Sequence, residues 1–224
     1  MMRFHGYFRS SSSYRCRIAF NLKGLVPDFV PVHLVKDGGQ QKTPEYRALN
    51  PQGLVPALEV DGEVLTQSPA ILEWLEETHP EPPLLPADPM ARAHVRAFCQ
   101  IIACEIHPLQ NLRVLQYLRG EYGQDQDGVE RWCQRWIGDG LAACEALLEK
   151  RNGGRAFCFG ETPGMADIYL VPQVFSAARF NVDLSAMPIV RRIARSSDSV
   201  PAIADAHPSK QPDADQAPAR RRQT

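Results

Sequence analysis

Five prolines fall within residues 79–89, at Pro80, Pro82, Pro83, Pro86 and Pro89. Each lacks a backbone N–H and clashes with the preceding turn, so neither a helix nor an interior strand can run through this stretch. The chain must divide there, and the two sides differ in kind. Before the prolines, strand-like and helix-like runs alternate; after them only helical spacing recurs. The expected organisation is an α/β domain over 1–79, a linker over 80–89 and an all-α domain over 90–204. A tail over 205–224, rich in Pro, Asp, Gln and Ala, is expected to be partly disordered.

Within the first region, Arg3 to Tyr7 suits a short strand, and the serines Ser10 to Ser13 can cap a helix running to about Lys23, with Gly24 as its stop. Phe29 to Leu34 reads as a second strand, and Val35 to Gln41 as a polar loop of the kind that carries binding groups. Thr43-Pro44 opens a short helical turn ending near Leu49. Pro56 marks the start of a strand, with a cis bond as one way to make the bend before it. Asp61-Gly62 is a hairpin signal, with Glu63 to Thr66 returning. Ser68 is expected to cap a third helix with Pro69 as its first residue. The order is strand-helix-strand-helix-strand-strand-helix, a βαβ half followed by a ββα half.

In the second region Val95, Phe98, Ile102, Ile106 and Leu109 recur at helical spacing, as do Val129, Trp132, Trp136, Gly140, Ala143 and Leu147. A further helix is expected from Met165, bent or interrupted by Pro172.

Charge narrows the partners. The 25 Lys+Arg against 26 Asp+Glu leave a formal net charge of −1, without the basic surplus that neutralises phosphates, so no nucleic-acid partner is expected. Arg220-Arg221-Arg222 reads as a solvated tail. No stretch approaches the roughly 18 apolar residues of a membrane span, so no membrane partner is expected and a cytoplasmic location is. Six cysteines, none spaced C-x-x-C, fit a reducing compartment and offer neither a metal site nor a dithiol pair.

The sharpest local feature is Arg9-Ser10-Ser11-Ser12-Ser13-Tyr14-Arg15, between the first strand and the first helix. A helix N-terminus carries unpaired N–H groups and a partial positive charge, and a hydroxyl beside it can donate to an anion; a thiolate would be stabilised there. Taken alone, serines in such a place read first as plain caps. The bend at Val55-Pro56 leaves the polar groups of Val55 free to pair with an extended ligand, and Ser68 at another helix start suits a carboxylate. Together these make three polar termini in one small α/β unit.

The run Arg9 to Ala19, with Lys36-Asp37-Gly38-Gly39-Gln40-Gln41, Asn50 to Leu58, Gln67-Ser68-Pro69-Ala70-Ile71, His107 to Asn111 and the late His207 to Pro212, resembles the zeta class of glutathione transferases, whose best-known members are maleylacetoacetate and maleylpyruvate isomerases. The resemblance implies a thioredoxin-like N-terminal domain with a cis Val55-Pro56 bond, an all-helical second domain, a homodimer and glutathione as cofactor. It makes Ser10 the first choice for activating the glutathione sulfur, with Ser11 and Ser12 close by and Arg15 adding positive potential. Gln41, the backbone of Val55, Gln67, Ser68 and Asn111 would hold the tripeptide. The sequence departs from the family at Ser12, often Cys, at Tyr14, often Trp, at Cys16, often Val, and at Gly164, normally Ser or Thr. A dianionic substrate needs fixed cations, for which Arg9, Arg113 and Arg179 are candidates, with His107 as a polar pocket group. The implied activity is glutathione-dependent cis–trans isomerisation without a metal; the alternatives are conjugation of haloacids or other small electrophiles, and a binding protein that has lost catalysis.

Overall fold

A computed structural model describes residues 1–214, so the arginine run at 220–222 lies outside the described residues. The described residues form two compact units, one of Met1–His79 with residues 201–214, the other Pro80–Val200.

The first unit is built on strands β1 (Met2–Gly6), β2 (Asp28–Pro31), β3 (Ala57–Val60) and β4 (Glu63–Thr66), in sheet order β2-β1-β3-β4. β1 runs parallel to β2, with Phe4 opposite Phe29, and antiparallel to β3, with Phe4 opposite Leu58. The parallel pair requires a crossover, supplied by helix α1 (Ser11–Leu22). The hairpin β3–β4 turns at Asp61-Gly62 as expected. Helix α2 (Pro44–Leu49) and helix α3 (Ser68–Thr78) complete the unit. Phe4, Ile18, Ala19, Leu58, Ile71, Leu72 and Leu75 are buried together as its core, with Phe4 edge-on to Phe20 at 5.1 Å.

Two local expectations shift. The second strand ends at Pro31 rather than Leu34, because its partner β1 ends at Gly6 and the chain beyond is drawn into a loop: His33 N–H donates to Gln40 Oε1 (2.8 Å) and Gln40 N–H to His33 O (2.9 Å). Gln67, not Ser68, is the N-cap of α3, with φ 68°, and Ser68 sits one position inside. The Ser68 hydroxyl accepts from Arg15 instead of capping its own helix.

The chain from Pro201 returns to this unit as helix α9 (Pro201–Asp205) and a 3₁₀ turn at Pro208–Lys210. Of the stretch the sequence assigns to a tail, residues 205–214 are therefore folded, with Ala206 and Asp213 buried. They are held less by apolar area, which the composition correctly shows to be scarce, than by polar groups described below.

The second unit contains helices α4 (Pro89–Gln100), α5 (Leu112–Glu121), α6 (Gln126–Arg151), α7 (Met165–Arg179) and α8 (Pro188–Asp198). The expected run through Leu109 loosens into a π-helical stretch, Ile101–Ile106, and then a 3₁₀ turn, His107–Gln110. Gly140 of α6 accommodates this stretch, since a Cβ there would collide with the Ile106 side chain. The buried stripe of α6 is Val129, Cys133, Ile137, Leu141, Cys144 and Leu148, rotated from the expected one. Aromatic size misled the sequence pattern: the Trp132 indole N–H donates to Leu109 O (2.7 Å), while Trp136 stays exposed. Helix α7 is continuous through Pro172. Gly164 caps it where a Cβ would lie 3.0 Å from Leu84 O, and Asp167 accepts from the Gly164 N–H (2.9 Å) and Cys158 N–H (2.9 Å). With glycine as cap, only the carboxylate half of a capping box is made.

Candidate active site

Ser10 is the N-cap of α1: its extended backbone (φ −71°, ψ 122°) turns the side chain back, and Oγ accepts the Ser13 N–H at 3.2 Å. Ser10 Oγ is 3.2 Å from Ser12 Oγ, and the Ser12 hydroxyl donates to Val55 O at 3.3 Å. A hydroxyl has one proton, so with Ser12 committed to Val55, Ser10 is the donor between the two serines. Ser11, Ser12 and Ser13 are buried and Ser10 is half-buried. Ser10 is thus the most accessible hydroxyl of the run, and its proton can turn from Ser12 to an incoming anion. No acidic residue sits in the first turn of α1 to oppose that anion.

Arg15 lies inside the unit at 1% exposure and donates through Nη1 to Ser68 Oγ (3.4 Å). It acts on the site as a buried charge that fixes Ser68, joining the start of α1 to the start of α3. Arg9, half-buried, places its guanidinium 5.7 Å from the Phe8 ring centroid.

The Val55-Pro56 peptide is cis, and the strand begins only at Ala57, so Val55 lies outside the ladder. The turn before it is fixed by Tyr46 Oη and Asn50 Nδ2, each 2.7 Å from Leu54 O. Gln41 is buried, donating from Nε2 to Leu34 O (3.3 Å), while its Oε1 has no hydrogen-bond partner among the described residues. Its place depends on two glycines with positive φ: a Cβ on Gly39 would come within 2.8 Å of the Gln41 amide, and one on Gly53 within 2.9 Å of Gln41 O. Gln67, exposed, donates through Nε2 to Gln52 Oε1 at 2.5 Å. Two helix N-termini, an off-ladder backbone at Val55 and a buried amide oxygen form a donor and acceptor set that suits an anionic thiol-bearing tripeptide.

The remaining sequence candidates belong to the second unit. Asn111 is the N-cap of α5 and accepts from Arg113 N–H (3.2 Å); its extended backbone means that it and His107 do not share a helical face. His107 opens the 3₁₀ turn and is half-buried, and Arg113 is exposed. Arg179 ends α7 with its guanidinium 5.5 Å from the Phe180 ring centroid.

Protein thiols are poor candidates for the chemistry. Burial pushes Cys16, Cys133 and Cys144 up to about 12, so they stay protonated near neutrality. Cys104 alone is exposed among the described residues, which hold all six cysteines. Iodoacetamide on the native protein should label Cys104 first, and Cys104→Ser should keep wild-type turnover; loss of turnover in that variant would bring a protein thiol back into the mechanism.

His33, which the sequence does not single out, pins the loop that carries Gln41. Its Nδ1 accepts the Val35 N–H (3.2 Å) and Lys36 N–H (2.8 Å), so the neutral ring is the one that fits. Burial pulls its pKa below the ordinary 6.5; Lys36 and Arg9 act in the same direction, against Asp213 and Asp37. For a base with a lowered folded pKa, the stability is fully present above the unfolded value and is lost as pH falls. The thermal midpoint should therefore drop between about pH 7 and about pH 5, with a shallower slope in His33→Asn; identical slopes would remove His33 from this account.

Residues 9–78 match the family described as glutathione S-transferase, N-terminal domain. Over 213 residues the chain is 51% identical to the maleylacetoacetate isomerase of Pseudomonas aeruginosa, covering 95% of this chain and 98% of that protein. A solved holo structure of maleylpyruvate isomerase, described as a bacterial zeta-class glutathione S-transferase, superposes with a TM-score of 0.91 at 46% identity, covering 94% of this chain and 99% of that one. The maleylacetoacetate isomerase of Anaeromyxobacter dehalogenans 2CP-1, solved with GSH in its active site, gives 0.84 at 40% identity, covering 96% and 98%.

Proposed function

Because this chain belongs to the zeta class of the glutathione transferases, we propose that it is a glutathione-dependent cis–trans isomerase of maleylacetoacetate or the closely related maleylpyruvate. The observation that carries the proposal is the half-buried Ser10 hydroxyl at the N-terminus of α1, with its proton available to a thiolate. Gln41, Val55, Gln67 and Ser68 are proposed to hold glutathione, with Asn111 as a further contact. The chemistry that glutathione supplies when bound is reversible thiolate addition to the activated cis double bond, with rotation before elimination.

This chain's residues prepare that chemistry. Ser10 donates to the sulfur and, with the α1 dipole, favours the ionised form. Arg15 adds positive potential from within while holding Ser68 for a ligand carboxylate. Arg9, Arg113 and Arg179, with His107, are proposed to bind the substrate carboxylates and to stabilise charge developing on its carbonyl oxygen. Replacing any one of the three arginines by Ala should raise KM for the diacid about tenfold or more, with glutathione affinity retained. An unchanged KM removes that arginine from the substrate set. No helix among the described residues is long and apolar enough to cross a membrane; a homodimer in the cytoplasm is part of the proposal.

The test is the loss of cis-enol absorbance of each substrate with and without glutathione. Turnover of neither would sink the isomerase. An isomerase leaves the glutathione pool intact, whereas conjugation of haloacids or other electrophiles consumes one glutathione per product. Glutathione consumption alone would therefore favour the transferase.

A further inference from the structure

Tyr7 and Phe8 join β1 to the serine run but lie beyond the sheet, so their backbone polar groups must find partners elsewhere. Tyr7 N–H donates to Ser13 Oγ (3.3 Å), and Tyr7 O accepts from Ser10 N–H (3.0 Å) and Arg17 Nη1 (3.4 Å). Phe8 O accepts from Arg17 Nη2 (2.9 Å), and Phe8 N–H donates to Asp213 Oδ2 (2.8 Å), 205 residues downstream. Arg17 closes the network by donating from Nε to Ala206 O (3.0 Å). Asp213 is 2% exposed and Arg17 6%. Burial lowers the Arg17 pKa to about 10, which leaves it charged at neutrality. The entry to the serine run is therefore fixed by the returning C-terminal segment and not by the sheet.

We propose that Asp213 is a positioning residue for thiol activation: by holding Phe8 it sets where the chain turns into Arg9 and Ser10, and so where the Ser10 hydroxyl stands. With Arg17 it makes residues 206–213 a brace for the N-terminus of α1. The proposal rests on the glutathione reading above. A small displacement of a reacting group carries a large rate penalty, which is why a carboxylate that touches neither thiol nor substrate matters here.

The experiment uses the full chain and, beside kcat and glutathione affinity, two readouts that a merely structural role would not move. The first is the pKa of glutathione's thiol on the protein, from ultraviolet thiolate absorbance. The second is amide exchange across residues 8–14 without glutathione. Asp213→Ala should raise the thiol pKa toward its free value, lower kcat about tenfold with little change in glutathione affinity, and speed exchange in that segment. Asp213→Glu, which keeps the charge but moves the acceptor by one methylene, should do the same more mildly and serves if the alanine variant does not fold. Asp205→Asn, which loses only an exposed pair with Lys210, should match the wild type. A merely structural carboxylate would lower the melting temperature and leave thiol pKa and segment exchange unchanged, and that result overturns the proposal. A wild-type protein that does not lower the thiol pKa would instead sink the glutathione reading, while the exchange measurement would still judge the brace.

Discussion

Ser10→Ala should slow isomerisation by about 10²–10³-fold, the range found when one preorganised donor to a developing or bound anion is removed, while glutathione still binds with nearly wild-type affinity. On the proposed reading the affinity is spread over groups the substitution leaves in place, Gln41, Val55 and Ser68, all of them buried, whereas the sulfur would depend on the Ser10 hydroxyl. The variant also loses the Ser10 cap to the Ser13 N–H, about 0.5–2 kcal/mol of helix stability. That loss leaves the protein folded, so circular dichroism and the glutathione dissociation constant separate a chemical defect from a folding one. The thiol of bound glutathione should titrate nearer its free value. Wild-type turnover would move the role to Ser11 or Ser12, and of these Ser12 already gives its proton to Val55 O.

The largest stability effect is expected at a pair remote from this chemistry. Lys23, just past α1, and Glu76 of α3 form a buried ion pair with Nζ–Oε2 at 3.0 Å and side-chain exposures of 0% and 6%. Lys23 Nζ also donates to His79 O. Removing one partner strands the other's charge in the interior, so Glu76→Ala should cost about 3–5 kcal/mol in denaturant unfolding. Replacing both partners by apolar residues of similar size, Lys23→Met with Glu76→Leu, should restore most of that stability, because the desolvation of two charges disappears with their attraction. A loss below about 1 kcal/mol in Glu76→Ala would be the behaviour of a solvated surface pair and would contradict the burial described here.

The strand and helix order of the first unit was legible because period-two and period-3.6 patterns are punctuated by Pro27, Gly24, Asp61-Gly62 and Pro69. The cap at Ser10 was legible for the same local reason. The register of α6 was not, because Trp132 and Trp136 look like core residues until the indole N–H must find Leu109 O. The cap of α3 falls on Gln67, at φ 68°, and the Ser68 hydroxyl meets Arg15, 53 positions away, a partner that no local pattern reveals. His33 gave no signal at all, since its meaning lies in two backbone N–H groups that fold back on it.

By itself the sequence determined the α/β and all-helical character of its two regions and a serine-capped helix start, because these are set by residues within a few positions of one another. Only the tertiary structure decided which serine keeps an available proton, that Arg15 works from the interior through Ser68, and that Asp213 and Arg17 hold the approach to the serine run. The physical reason is that a buried polar group must be satisfied by whatever the fold brings beside it. Here that partner is as often tens or hundreds of residues away as next in the chain.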